Sequence, residues 1–195
     1  MHLHTEQKFF LSKQPFVLVI FSVNLLVYII VSLPFLPTVE IFERFAGIND
    51  SITRGEIWRL LTPVFFHVNV EHLLFNSLHL FLFGTILSSV LPVPWLFTGY
   101  FVSAMAGNLL TWFLAPGEYV HVGSSGAIFG LIGMTSMMIV CHRLNDSFTK
   151  PFKVLIPIVI ILSFLQPGIN PYSHVGGLMS GMGISYLFAK RKNRK

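Results

Sequence analysis

Six long apolar stretches constrain this 195-residue chain more than any other feature. An α-helix needs about 20 mostly apolar residues to cross the hydrocarbon core of a bilayer. The stretches cover 16–35, 70–91, 95–114, 124–141, 152–168 and 172–189. The fifth is short and is interrupted by Pro157, and the fourth and sixth are rich in glycine. The pattern predicts an all-α, polytopic membrane protein, a bundle of six transmembrane helices.

The composition supports lipid as the solvent for most of the chain. Hydrophobic residues make up 53% of the sequence and charged residues 11%, whereas soluble domains are about a quarter charged. So few polar residues cannot cover a water-soluble fold of this size. The net charge of +5 indicates orientation and contact with anionic lipid rather than nucleic acid. The single cysteine, Cys141, excludes an internal disulfide.

The distribution of basic residues predicts the orientation. Six spans place both termini on one side, which then carries ten of the Lys and Arg residues, while the other side carries three. The positive-inside rule therefore places both termini in the cytoplasm. Within one membrane domain, 1–195, we expect a cytoplasmic segment at 1–15, an outer loop with short amphipathic helices at 36–69 and a basic cytoplasmic tail at 190–195. The small size and the lack of a targeting signal favour a bacterial plasma membrane.

Polar residues at membrane depth are costly and indicate function. His72 and Asn76 lie near the start of the second span, Ser125 opens the fourth, and His174 opens the sixth. In the predicted orientation these three spans all run from outside to inside. The four polar residues therefore share a similar shallow depth below the outer surface.

These residue types fit acyl transfer. A serine hydroxyl becomes a good nucleophile when a neutral histidine accepts its proton, and Ser125 and His174 are of the types that such a reaction needs. No acidic residue falls in spans four to six where an orienting group would be sought, so we expect a dyad. His72 and Asn76 are spaced i, i+4 on one helical face and both can donate a hydrogen bond to an oxyanion.

Glycine spacing indicates how the serine and the histidine meet. Small residues four apart let two membrane helices approach closely. Such faces occur in the fourth and sixth spans, at Gly126, Gly130 and Gly133 and at Gly177 and Gly181. If the two spans pack through these faces, the residues at their starts come together.

Four features, in this order, resemble the rhomboid intramembrane serine proteases. They are the Trp58-Arg59 pair, the set His67, His72 and Asn76, the GxSG motif from Gly123 to Gly126, and HxxGxxxG at His174, Gly177 and Gly181. The resemblance covers nearly the whole chain and implies a six-helix bundle with a water-accessible cavity open to the outside.

The resemblance also implies roles for residues. Ser125 would be the nucleophile and His174 the base. An oxyanion hole would comprise His72, Asn76 and the backbone amides of Ser124 and Ser125. Phe129 occupies the position of a family aromatic that packs on the catalytic histidine. Neither a cofactor nor a metal ion is expected.

The site's shallow depth suggests the substrate class. A helix in lipid keeps its backbone hydrogen-bonded and protected from hydrolysis. We therefore hypothesise cleavage of single-span membrane proteins near their outer ends. The expected partners are these proteins and the lipid bilayer, and not nucleic acid.

Other interpretations of the residues stay open at this point. Ser124 is a rival nucleophile. His174 alone is typical of a hydrogen-bonded structural histidine, and His72 and Asn76 of an interhelical polar contact. His67 either lines the cavity or lies at the membrane interface.

Other functions also stay open. A catalytically inactive relative would use the same bundle to bind membrane helices, as a chaperone or adaptor. A zinc protease would need HExxH on a helix, and that string is absent. Transporters show inverted repeats and charged midplane sites, and neither is evident. Trp58 and Arg59 are expected to brace the outer loop rather than to contact substrate.

Overall fold

The computed structural model describes residues 14–165 and 168–192. Most of the predicted cytoplasmic segment (1–13) and the last residues of the predicted basic tail (193–195) lie outside the described residues, as do 166 and 167 of the fifth predicted span. The described helices are α1 (Pro15–Val31), α2 (Thr38–Phe45), α3 (Asn49–Thr53), α4 (Val70–Ser88), α5 (Val93–Leu114), α6 (Ser125–Val140), α7 (Asp146–Phe164) and α8 (Pro171–Lys192).

The six long helices coincide with the six apolar stretches, with shifted ends. Helix α1 ends at Val31, four residues before the predicted end, because Pro34 disfavours a helix in the residues that precede it. Helix α7 begins at Asp146, six residues before the predicted start, and continues through Pro151 and Pro157. Pro157 therefore does not interrupt the helix.

Helix α6 lies at the centre of the bundle. Every residue from Gly126 to Thr135 is buried, and α6 contacts α4, α5, α7 and α8. Helix α8 packs along both α5 and α6, and α1 packs against α4 and α5. The two chemically distinctive helix starts, at Ser125 and His174, therefore belong to the most tightly packed pair.

Helices α6 and α8 touch backbone to backbone through their glycines. A Cβ added at Gly177 would overlap the carbonyl oxygen of Gly126, and one at Gly181 would overlap that of Gly130. A Cβ at Gly133 would likewise overlap the carbonyl of Leu178. The predicted packing of the two glycine faces is confirmed.

The segment between α1 and α4 folds over the end of the bundle where α4, α6 and α8 begin. It contains α2, α3 and two 3-10 turns, Ile57–Leu60 and Thr62–Phe65. Its strand β1 (Gly47–Ile48) pairs antiparallel with β2 (Val120–His121), with Gly47 opposite His121. This pairing ties the segment to the turn that leads into α6.

Arg59 holds this segment together. Its side chain is buried, and its Nη1 donates to the carbonyls of Glu43 (2.6 Å) and Ala46 (2.7 Å). Its charge is paired with Glu56 at 2.8 Å, as a buried charge requires. Trp58 donates from its indole N–H to a carbonyl of α2 at 3.3 Å. The expectation that Trp58 and Arg59 brace the loop is confirmed.

The outward faces of the long helices are apolar. Exposed side chains include Leu26 of α1, Leu74 and Leu78 of α4, and Ile161 and Leu162 of α7. A soluble monomer rarely exposes apolar surface on this scale. Among the described residues, length and hydropathy single out α4 as a membrane-crossing helix, with α1 and α6 as shorter apolar helices. The six-span count stays a prediction.

We predict that Gly181→Ala destabilises the protein while Gly183→Ala does not. The methyl group added at position 181 would meet the backbone of Gly130, which cannot rotate away. A Cβ added at position 183 has no atom within 4 Å. Overpacking of this kind costs about 1–3 kcal/mol, whereas Gly to Ala in an open helical position gains about 0.5–1 kcal/mol.

The measurement is thermal unfolding of the two variants and the wild-type protein in one detergent. Equal midpoints for the two variants would contradict the close contact between α6 and α8.

Candidate active site

Ser125 is the first residue of α6, and a tight turn precedes it. Gly123 in that turn has a φ of +118°, which only glycine adopts easily, and its N–H donates to the carbonyl of Pro63 at 2.9 Å. A Cβ on Gly123 would overlap the imidazole of His72. Because N–H groups of a first helical turn have no acceptor within the helix, this turn presents donors at the positive end of the helix dipole.

His174 lies in the first turn of α8 and covers the start of α6. Its ring stacks on Phe129, with centroids 4.0 Å apart and an interplanar angle of 8°. Phe129 follows Ser125 by one turn on the same helical face. Phe164, at the end of α7, meets the His174 ring edge-on at 5.9 Å.

A second contact brings the same two helix starts together. A Cβ on Gly126, the neighbour of Ser125, would overlap the hydroxyl of Ser173, the neighbour of His174. Ser125 and His174 therefore belong to adjacent parts of one helix pair, at the same end of the bundle. Two separate contacts, one between rings and one between Gly126 and the Ser173 hydroxyl, give this arrangement.

No side chain orients the His174 ring through its buried nitrogen in the part of the chain that the structure describes. Nδ1 of His174 is buried there without a hydrogen-bond partner. The orientation of the ring depends instead on the stack against Phe129 and on the position of α8.

His72 and Asn76 lie on α4, next to the turn before Ser125. Asn69 caps α4, its Oδ1 accepting from the backbone N–H of His72 at 2.8 Å. Asn76 is buried, and its Nδ2 donates to the carbonyl of His72 at 3.0 Å. An amide nitrogen carries two N–H groups, so this bond leaves at most one of them for another acceptor.

His67 belongs to the wall of the site rather than to the membrane interface. It is only 2% exposed, and its Nε2 lies 3.4 Å from the hydroxyl of Ser124. Its ring meets that of His72 edge-on at 5.1 Å. Ser124 is 1% exposed and its hydroxyl contacts His67, whereas Ser125 is half-buried. Accessibility therefore favours Ser125 over Ser124 as a nucleophile.

Two histidines of the loops near the site are neutral at physiological pH. Burial, reinforced by the nearby His72, lowers the pKa of His67 to about 3. Burial lowers the pKa of His121 to about 4. His121 packs its ring against Gly47 in the β1–β2 pair, and within the described residues neither of its ring nitrogens has a hydrogen-bond partner.

The sequence reasoning did not identify Asn170 as part of this region. Asn170 precedes Pro171 and α8, and its Oδ1 accepts from the N–H of Ser173 at 3.0 Å. Asparagine followed by proline is a helix-start signal, so this cap was readable in the sequence. Its partner Thr111, on α5, was not readable, because no local pattern joins residues 59 positions apart.

A cavity of about 210 Å³ lies beside the site. It is bounded by the C-terminal half of α1, by α2 and by residues 66–68, and it includes His67 in its wall. Its lining is a mixture of aliphatic, aromatic and hydroxyl side chains: Val27, Tyr28, Val31, Ser32, Thr38, Phe42, Phe66 and Val68. It does not include Ser125 or His174, so it borders the candidate site without forming it.

Comparison with known proteins gives a family match that covers the site. The model of the rhomboid domain matches residues 54–191. That range includes the outer-loop turns with Trp58 and Arg59 and all of α4 to α7. It also includes every candidate site residue named above.

Individual relatives support the same match. Over the full length of both chains, the sequence is 33% identical to YdcA of Bacillus subtilis (strain 168), whose name provisionally designates it a rhomboid protease. It is 34% identical to rhomboid-like protease 1 of Toxoplasma gondii, over 94% of this chain and 67% of that protein. It is 32% identical to the rhomboid protease GluP of Bacillus subtilis, over 68% of this chain and 26% of that protein.

We predict that His121 makes the folded protein sensitive to acid. The ordinary pKa of histidine is 6.5 and the pKa of folded His121 is about 4. Between these values the unfolded chain binds more protons than the folded chain. The stability contributed by neutral His121 is therefore complete above pH 6.5 and is lost as the pH falls towards 4.

His121→Phe keeps a ring against Gly47 and removes the titration. We expect the thermal unfolding midpoint of this variant to fall less between pH 7 and pH 4.5 than that of the wild-type protein. Parallel pH profiles for the two proteins would show that His121 does not control this transition.

Proposed function

The chain belongs to the rhomboid family, and from this premise we propose that it is a serine endopeptidase with Ser125 as nucleophile and His174 as general base. The family indicates an integral, multi-pass membrane protein with intramembrane protease function. The mostly helical bundle agrees with that class. The residue roles, the orientation and the substrate are the parts that we propose.

The observation that carries the proposal is the position of the His174 ring. It stacks at 4.0 Å on Phe129, one turn beyond Ser125 on α6. The contact between Gly126 and Ser173 supports the same proximity. Because Nδ1 of His174 is buried, Nε2 is the ring atom left to accept the serine proton.

The proposed reaction has two matched halves. The Oγ of Ser125 bonds to the carbonyl carbon of the substrate while its proton moves to His174. The peptide C–N bond then breaks, and the leaving amine takes that proton. A water molecule next gives its proton to His174 and attacks the acyl group, and the serine oxygen leaves with the returned proton.

The charge that develops on the carbonyl oxygen needs donors. We assign this role to His72, to Asn76 and to the backbone amides of Ser124 and Ser125. Support comes from the overlap that a Cβ on Gly123 would make with His72, since this contact brings the His72 imidazole close to the turn that carries the amides. Asn76 has at most one N–H group left for the oxyanion, because the other bonds to the carbonyl of His72.

We propose that the site lies near the extracytoplasmic face of a six-span bundle. Helices α4, α6 and α8 all begin at the site, and α6 and α8 end beside the basic residues Arg143, Lys190 and Arg191. Basic residues favour the cytoplasmic side. We therefore infer cytoplasmic termini and an outer loop at 36–69, within a single membrane domain over 1–195.

This arrangement suggests single-span membrane proteins as substrates, cut near their outer ends. A peptide bond inside a lipid-embedded helix is protected by its backbone hydrogen bonds. A site at shallow depth can receive a segment that has unwound at the membrane surface. The apolar outward faces of α4 and α7 suit the approach of such a substrate from the bilayer.

We predict that Ser125→Ala and His174→Ala each lower cleavage of a labelled single-span protein in liposomes by about a thousandfold or more, because each removes a member of one catalytic unit. The Ser124→Ala variant keeps the backbone amide at position 124 and the Ser125 hydroxyl, so we expect it to continue to cleave the substrate. Product masses would give the cleavage position, and unfolding curves would show that each variant is folded.

Cleavage that survives both Ser125→Ala and His174→Ala but is lost on adding a chelator would contradict the dyad and favour a metal-dependent protease. Binding of the labelled substrate without cleavage by the wild-type protein would favour the inactive, helix-binding alternative.

A further inference from the structure

The buried side chains of Asn49 and Thr111 and the half-buried side chain of Asn170 connect the segment between α1 and α4 to the helix that carries His174. Asn49 of α3 donates from Nδ2 towards the carbonyls of Thr111 (3.2 Å), Ala115 (3.2 Å) and Pro116 (3.0 Å), which lie in the last turn of α5 and just after it. The hydroxyl of Thr111 lies 2.9 Å from Nδ2 of Asn170. The chain of contacts thus runs from α3 through α5 to the residue before α8.

Asn170 accepts hydrogen bonds from the first turn of α8 through both its side chain and its backbone carbonyl. Its Oδ1 accepts from the backbone N–H of Ser173 at 3.0 Å, and its backbone carbonyl accepts from the N–H of His174 at 3.3 Å. Its Nδ2 bonds across to Thr111 on α5. Asn170 therefore caps α8 and also attaches that cap to a neighbouring helix.

This attachment matters because the other contacts described for the His174 ring are the aromatic ones with Phe129 and Phe164. In the described part of the chain its Nδ1 has no hydrogen-bond partner, so no second side chain corrects a displacement of the backbone. Phe129 stacks on one face of the ring, and a parallel stack resists sliding within its plane only weakly. The lateral position of the imidazole therefore depends on where the first turn of α8 lies.

We infer that Asn170 is a positioning residue for His174, and that Thr111 and Asn49 extend its support to α5 and the outer segment. The inference rests on the proposed function, since it assigns a role in placing the general base. Loss of the Asn170 side chain releases the first turn of α8 and shifts His174 relative to Ser125. Proton transfer tolerates such shifts poorly, because a misplacement of about 1 Å costs about a hundredfold in rate.

The experiment compares four single variants, and the combination of Asn170→Ala with Thr111→Val, with the wild-type protein in liposomes. Asn170→Ala removes the cap, and Asn170→Ser restores a good capping oxygen. Thr111→Val removes the link to α5. Thr85→Val is the matched control, because it removes one interhelical bond of the same kind, to Gln14 at 2.6 Å, at the opposite end of the bundle. The measurements are kcat, KM, the rate of reaction with a fluorophosphonate, and the unfolding midpoint.

We expect Asn170→Ala to lower kcat and the fluorophosphonate rate by about tenfold or more with KM within about twofold, because the base is displaced and substrate contacts are kept. Asn170→Ser recovers most of the loss. Thr111→Val lowers kcat about threefold, and less than additively when combined with Asn170→Ala, because the two residues act through one contact. Thr85→Val lowers the unfolding midpoint and leaves kcat unchanged.

An unchanged kcat in Asn170→Ala, or no recovery in Asn170→Ser, would overturn the inference. A kcat loss in Thr85→Val equal to that in Thr111→Val at the same unfolding midpoint would also overturn it, and this comparison decides the matter if Asn170→Ala does not fold. Wild-type protein that is folded but neither cuts nor reacts with the fluorophosphonate would instead contradict the proposed function.

Discussion

The carbonyl oxygens of Gly126 and Gly130 on α6 lie where side chains would otherwise stand at Gly177 and Gly181 on α8. Two helices approach this closely only when neither carries a Cβ at the contact. Ser125 and His174 are the adjacent helix-start residues of this pair, so their separation is set by the glycine contact. The stack of His174 on Phe129 and the covering by Phe164 both follow from the same approach.

The polar end of the bundle provides the second constraint. Arg59 donates hydrogen bonds to two backbone carbonyls of the segment between α1 and α4. Asn49 donates to the carbonyl of Pro116, just after α5. Strand β1 pairs with β2, which leads to Ser125. These contacts place the buried, neutral His67 and His121 near the start of α6, whose first N–H groups have no acceptor within the helix. A site made in this way needs no charged orienting group, since its geometry comes from packing and backbone hydrogen bonds.

The sequence predicted those features that depend on residue spacing within one helix or on the residues at its start. Spacing of four residues gave the glycine faces, and a serine before an apolar helix gave the start of α6. Helix ends were less predictable, because Pro34 ends α1 early while Pro157 leaves α7 intact. His67 could not be assigned from the sequence, since its contact with Ser124 joins residues 57 positions apart. The same holds for Asn49 and Thr111, 62 positions apart, because only the packed bundle brings them together.

The most direct test of the account is the residue that reacts with a serine-directed fluorophosphonate in the folded protein. Mass spectrometry of the peptide that spans the turn into α6 would distinguish Ser125 from Ser124. The account predicts one adduct on Ser125, absent in His174→Ala, because an imidazole from α8 must accept the proton of that hydroxyl. An adduct on Ser124, or on Ser125 at an equal rate without His174, would contradict the pairing of these two helix starts.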